Sequence, residues 1–288
     1  MTRYDPGWEA LLQPDRAQCL FDLEPAPGFE PAPGFDLATA WWLAQLCHAA
    51  YLEPGHPDTP RPPAGYRDEV LSGHGFRETA AIDDGIVQGV LCSRGDIAVL
   101  AFRGTDDPRD WAVNMRIDPS PWPGGGKVHQ GFHRSLDGIA RTLSNWRAHY
   151  SSKRWFVTGH SQGAAMAVLS ASLIHPEAVY AFGCPRLGDS LFAESMNGVS
   201  INQVINGRDI VTMVPPFIGD AESALPGSVV HLENGRGIRL ADYHDLPTGL
   251  DTDATLERVM SPGDWANPLR ELADHSIVNY VAALEQTN

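Results

Sequence analysis

An α/β fold, with a mostly parallel central sheet and helices on both faces, is what this sequence of 288 residues predicts. Three observations predict it. Apolar strand-like runs alternate with helical stretches through most of the chain, the order that parallel pairing through helical crossovers requires. The run RWFVTG at 154–159 feeds almost directly into the helical stretch AAMAVLSASLIH at 164–175. With 43% hydrophobic and 20% charged residues the chain can bury one large core, and no composition shift marks a second domain.

Taken in order, residues 1–35 form a loosely packed, extended arm. The hexapeptide Glu-Pro-Ala-Pro-Gly-Phe occurs at 24–29 and again at 30–35, and its prolines forbid both helices and regular ladders. One domain, residues 36–288, follows. Asp36 is a good N-cap for the helix LATAWWLAQLCHAAYL, which Trp41, Trp42 and Leu46 make apolar on most sides. A proline-rich loop runs from Pro54 to Pro63. Strands are expected from Tyr66 to Arg103, with a hairpin turning at Ser93-Arg94-Gly95-Asp96. A short helix (Pro108 to Met115), a loop rich in Pro and Gly and the helix around SLDGIARTLSNWRAHY come next. AVYAFG and INQVING read as strands, residues 228–240 as an edge hairpin near Asn234-Gly235, and Asp274 to Leu284 as the final helix.

The charge excludes some partners. A formal net charge of −15 argues against a nucleic-acid backbone. It also disfavours electrostatic docking on anionic lipid, so any transient contact with a lipid interface has to be hydrophobic. The plain alternative is that the charge keeps the protein soluble. Cys19, Cys47, Cys92 and Cys184 show no metal-type or CxxC spacing. No apolar run is long enough to predict a transmembrane helix. The opening MTRYDPGWEALLQPD lacks the basic-then-apolar pattern of a signal peptide, which predicts a cytoplasmic protein.

The chemistry centres on Gly159-His160-Ser161-Gln162-Gly163. A GxSxG pentapeptide is a weak signal alone; between an apolar strand and a helix it describes a nucleophile elbow. Such a turn strains the serine backbone, so the positions two before and two after must be nearly without side chains, as Gly159 and Gly163 are. Ser161 Oγ then projects beside the positive end of a helix.

Further blocks make the chain resemble the class 3 lipases of the α/β-hydrolase superfamily. They are Phe102-Arg103-Gly104-Thr105 with Trp111 six residues beyond the Thr, Val128-His129-Gln130-Gly131-Phe132, the elbow, and Phe182-Gly183-Cys184-Pro185-Arg186-Leu187-Gly188. Asn206-Gly207-Arg208-Asp209-Ile210-Val211 with Val214-Pro215-Pro216 resembles the family's acid segment, and Asp274-His275-Ser276 with Tyr280 its histidine segment. The resemblance covers roughly residues 36–284. It implies an α/β-hydrolase fold and a serine ester hydrolase acting on acylglycerols or related acyl esters, with no metal or organic cofactor.

A serine hydroxyl needs a base and a group that orients the base. The resemblance assigns Ser161 as nucleophile, His275 as base and Asp209 as acid, in the order Ser, Asp, His that this fold uses. His244 also follows Asp209 and is the rival base; Asp220 is the rival acid, without a strand immediately before it. His160 lies within the elbow and is expected to point away from the hydroxyl, and His231 is expected in an edge strand. The oxyanion donors are the backbone N–H of Gln162 and, by resemblance, Thr105 through its N–H and hydroxyl. Arg103 is read as a structural ion-pair residue, with a substrate anchor as the other reading. Trp111 is either a lid residue or a core anchor, and the loop from Leu246 to Pro268, with Trp265, is a second candidate cover. Phospholipid, phenolic-ester or polyester substrates suit the same triad, and a non-catalytic binding module is the remaining class.

Overall fold

The computed structural model describes residues 2–14, 20–52, 65–105, 118–233, 237–241, 254, 255, 258 and 269–287. The expected helix at 108–115, Trp111, Trp265, His244, Cys19, the Asn234-Gly235 turn and all of the loop 246–268 but residues 254, 255 and 258 lie outside the described residues.

The core is an eight-stranded sheet. Its strands are β1 (Arg77–Asp83), β2 (Gln88–Arg94), β3 (Ile97–Phe102), β6 (Arg154–His160), β7 (Ala178–Phe182), β9 (Ile201–Asn206), β12 (Ser228–Leu232) and β13 (Ile238–Ala241), in that spatial order. From β3 to β12 all neighbours pair parallel. The β1–β2–β3 edge and the β12–β13 edge are antiparallel. Fully buried Val99 and Ala101 face one side of β3 and Leu100 and Phe102 the other. That alternation divides the apolar core into two layers, as a sheet covered on both faces demands.

One layer is covered by α2 (Leu37–Ala49) and α8 (Ile277–Glu285), the other by α4 (Gln130–His149) and α5 (Gln162–Ile174). The expected N-cap holds: the Asp36 carboxylate accepts from Thr39 N–H at 2.7 Å. A second, five-stranded sheet is built from β10 (Phe217–Ile218), β11 (Ala221–Ala224), β8 (Gly188–Asp189), β5 (Lys127–His129) and β4 (Pro119–Pro121). Its strands have two to four residues each, too short to show a period of two.

Three expectations need correction. Residues 66–73 form helix α3 (Tyr66–Gly73), not strand, with Asp68 and Glu69 at its favourable N-terminal end and Arg67 paired to Glu78 at 2.7 Å. His231 sits in β12, which β13 covers, so it is one strand in from the edge and bonds the Gly207 carbonyl. The final helix begins at Ile277, after the short α7 (Arg270–Ala273), leaving Asp274 to Ser276 in the connecting turn.

The described residues among the first 35 are largely without ladders, as their prolines dictate, but they are firmly docked. They carry one short helix, α1 (Trp8–Leu12), and the two hexapeptides each end in an aromatic anchor. Phe29 packs on Trp42 and Phe76, and Phe35 on Tyr180. Carbonyls that no ladder uses accept from the body instead: Pro27 from Trp42 Nε1, Pro31 from Arg154 and Gly34 from the Tyr180 hydroxyl. The proline content was a sound reason to exclude ladders, and a poor one to infer loose packing.

Candidate active site

Ser161 joins the end of β6 to the start of α5 with φ 58° and ψ −126°, a region that costs a non-glycine residue about 1–3 kcal/mol. The flanking glycines make the turn possible. A Cβ on Gly159 would lie 2.1 Å from the Gly163 carbonyl oxygen, and one on Gly163 only 2.4 Å from that of Phe102. The Ser161 N–H donates to the Phe182 carbonyl at 2.9 Å, tying the turn to β7.

Three segments converge on the hydroxyl. His275 Nε2 is 2.9 Å from Ser161 Oγ. On the other side of the ring, Nδ1 is 3.0 and 2.9 Å from the two oxygens of Asp209. A carboxylate only accepts, so Nδ1 carries the proton and Nε2 presents its lone pair to the Ser161 hydroxyl. Ser161, His275 and Asp209 are all buried. Asp209 follows β9 and opens a 3-10 turn at Ile210–Met213, where its carboxylate accepts from Val211 N–H at 2.9 Å. The Tyr280 hydroxyl donates to the second oxygen at 2.7 Å. Burial and then the Asp209 charge push the Tyr280 phenol well above its ordinary value, so it stays a donor. Cys184, also beside Asp209, is held as a thiol by burial first and that charge second.

The donors expected for an oxyanion flank the same spot. Gln162 is the first residue of α5, where backbone N–H groups have no intrahelical acceptor. On the opposite loop, a Cβ on Gly104 would lie 2.9 Å from Ser161 Cβ, so this backbone runs against the nucleophile. Thr105 follows, and its buried hydroxyl has no hydrogen-bond partner among the described residues. Arg103 donates to the Gln88 side chain at 2.6 Å and lies over the Tyr51 ring, a contact with neighbouring side chains that fits a structural role.

The structure thus brings together Ser161, His275, Asp209, Gly159 and Gly163, with Gln162 and Gly104-Thr105 alongside. Asp220, the rival acid, makes none of these contacts. Gly183 had no role in the sequence reading beyond its motif. Its φ is +60°, and a Cβ there would lie 2.8 Å from Asp209 Oδ2 and 2.9 Å from His275 Nδ1. The Phe-Gly-Cys-Pro-Arg block was the available signal. Tyr51 and His160 were missed as neighbours, because only the folded chain brings α2 beneath the elbow.

A mostly parallel sheet with this elbow after its fourth strand in chain order is the α/β-hydrolase fold. Within that class, the family model described as lipase (class 3) matches residues 99–218, under half of the chain. The match contains Ser161 and Asp209; His275 lies beyond it. The chain is 32% identical over 146 residues to a lipase of Rhizomucor miehei, covering 44% of this chain and 40% of that one. It is 36% identical over 108 residues to a secreted mono- and diacylglycerol lipase of Malassezia globosa, covering 33% of this chain and 36% of that one. The alignments therefore span well under half the length of these relatives. Among solved structures, the native Rhizomucor miehei lipase propeptide complex superposes with a TM-score of 0.60 at 15% identity, covering 89% of this chain and 92% of that one. The lipase of Rhizopus microsporus var. chinensis gives 0.55 at 22%, covering 72% and 79%; at such identities the likeness is one of fold. Several relatives are named as secreted, and the cytoplasmic expectation finds no support among them. Among the described residues, no helix is long and apolar enough to cross a membrane.

Proposed function

We propose that this protein is a serine ester hydrolase of the lipase type, with Ser161 as nucleophile, His275 as general base and acid, and Asp209 as the group that orients the imidazole. The observation that carries the reading is the 2.9 Å separation of His275 Nε2 from Ser161 Oγ, with Nδ1 held by Asp209 on the far side. Ser161 Oγ attacks the ester carbonyl carbon while Nε2 takes its proton. The negative oxygen rests on the N–H of Gln162 and on Thr105, whose hydroxyl has no partner among the described residues and suits that use. As the tetrahedral intermediate collapses, the imidazolium returns the proton to the departing alkoxide, and the alcohol leaves an acyl-serine. A water deprotonated by His275 then attacks the acyl carbon, and the acid is released with Ser161 restored.

Asp209 is a fixed carboxylate at this point of the cycle. It accepts from His275, Val211 and Tyr280, so it neither rotates nor needs to take the proton itself. The relatives' names favour acylglycerols, mono- and diacylglycerols included, as the substrate class, and a secreted protein. The division into an arm, residues 1–35, and one hydrolase domain, residues 36–288, belongs to the same reading.

Hydrolysis of chromogenic esters of graded acyl length tests it, with Ser161→Ala as control. The wild type should turn over esters and react covalently with a fluorophosphonate at Ser161. Turnover no faster than that of the Ala variant would refute the reading.

A further inference from the structure

His160 and Tyr51 lie beneath the nucleophile and take no part in the chemistry described above. Both are buried, and each makes contacts that reach a different half of the site. The Gly104 N–H donates to the Tyr51 hydroxyl oxygen at 3.1 Å. That hydroxyl is 2.8 Å from His160 Nδ1. His160 Nε2 is 2.6 Å from the backbone carbonyl of His275.

The proton positions follow from the acceptors. A carbonyl oxygen cannot donate, so Nε2 of His160 carries a proton. The neutral ring then presents a lone pair at Nδ1, and the Tyr51 hydroxyl donates into it while accepting from Gly104. Every donor in the chain meets an acceptor. A doubly protonated ring would turn Nδ1 into a donor facing a hydroxyl already occupied by another N–H. Burial chiefly, and the nearby His275 ring next, hold His160 well below the ordinary imidazole range, which agrees with the neutral form. The two imidazoles have centroids 4.7 Å apart, so a charge on His160 would oppose the one His275 acquires during catalysis.

We infer that His160 is a positioning residue: with Tyr51 it forms a rigid polar bridge that fixes the Gly104-Thr105 loop relative to the backbone of His275. The fit at Gly104 supports this. A Cβ there would lie 2.4 Å from the Tyr51 hydroxyl and 2.8 Å from the His160 carbonyl, so loop, tyrosine and elbow are in close contact. Donors for an oxyanion accelerate a reaction only when they are held in place before charge develops. The base must be held on the same frame, because misplacement by about 1 Å costs on the order of 100-fold. Histidine suits the position because one ring accepts at one end and donates at the other.

The kinetic part of the test rests on the hydrolase reading; the spectroscopic part does not. Full-length protein labelled with 15N-histidine is compared as wild type, Tyr51→Phe and His160→Gln. The bridge predicts a neutral, Nε2-protonated His160 from pH 5 to 9, and a shift of the His275 ring nitrogens in Tyr51→Phe, although Tyr51 acts on His275 only through His160. In ester hydrolysis each single variant should lower kcat about ten-fold with KM within two-fold. The double variant should be no worse than the poorer single one, because both break the same link. Tyr51→Phe removes one oxygen atom and keeps the experiment decisive if His160→Gln fails to fold. A proton on His160 Nδ1, unmoved His275 resonances in Tyr51→Phe, an unchanged kcat, or losses that multiply in the double variant would each overturn the bridge. A wild type without esterase activity would instead refute the hydrolase reading, and the resonances would still report on the bridge.

Discussion

The Tyr280 hydroxyl donates to Asp209 Oδ2 at 2.7 Å, from a helix that begins two residues after His275. One short stretch of chain therefore supplies both the imidazole that Asp209 orients and the phenol that restrains Asp209 from behind.

Tyr280→Phe should keep the fold and lower kcat. It deletes a donor to a buried carboxylate, which costs about 1–3 kcal/mol of stability and loosens the grip on the His275 tautomer. A kcat decrease of about ten-fold with little change in KM is expected, read by steady-state kinetics beside a thermal melt. Equal kinetics for both proteins would show that Val211 and His275 suffice to fix Asp209.

Gly183→Ala should be far more damaging to activity than to folding. The added methyl would lie within 3.0 Å of Asp209 Oδ2 and of His275 Nδ1 and Cε1, at a φ of +60° that alanine resists. The His–Asp pair must give way, so fluorophosphonate labelling of Ser161 should slow by about 100-fold or more. A labelling rate within a few-fold of wild type would contradict the crowding.

Acid should weaken the fold through buried histidines. His48, fully buried on α2 with Nε2 donating to the Pro14 carbonyl, is lowered from 6.5 to about 4, burial being the main cause. A base whose folded pKa is depressed binds protons more readily when unfolded, so its contribution is complete above pH 6.5 and is lost as pH falls toward 4. The shift corresponds to about 3 kcal/mol. His160, held well below the ordinary imidazole range chiefly by burial, acts in the same direction. Asp274 opposes them: burial raises its carboxyl, which favours the fold at low pH and disfavours it as pH rises. Denaturant melts should show stability falling between pH 6.5 and 4, and His48→Gln should flatten part of that slope. A slope identical in the variant would remove His48 from the account.

Residues 2–11 should matter to the site although none of them touches Ser161. Thr2 bonds Glu285, Tyr4 bonds Asp274, Asp5 exchanges hydrogen bonds with Asn279, and Ala10 accepts from Ser276, so both sides of His275 are gripped. Leu11 packs against Ile210, Val211 and Leu272, beside Asp209. Removing residues 1–12 should leave the central sheet folded by circular dichroism while lowering kcat about 100-fold. Full activity in the shortened protein would show that α8 holds His275 without help.

Ser161, Asp209 and His275, which the fold brings together, could be singled out in the sequence because their constraints are local or ordered along the chain. Gly159 and Gly163 announce the turn at Ser161, and Asp209 and His275 stand in motifs with recognisable neighbours. The parallel sheet was legible from the short apolar cores of β6 and β7, Trp155 to Val157 and Ala178 to Phe182, and from the Ile and Val residues of β9. What could not be read depends on tertiary contact. Helix α3 rests on the pairing of Arg67 with Glu78 and the burial of Leu71, neither of which leaves a period in eight residues. The docking of Phe29 and Phe35 needs partners that come from α2, the segment before β1, and β7. The bridge from Gly104 to His275 joins four separate segments, and no spacing in the chain marks it.

The ties between residues 2–10 and 274–285 span separations of 266 to 283 positions. During synthesis Ser161 and Asp209 leave the ribosome long before His275 does, while residues 2–10 wait without these partners. Such distant pairings close late and slowly. Until α8 forms and docks against residues 2–10, Ser161 has no imidazole beside it, so that closing these distant ties and assembling the candidate site are one event.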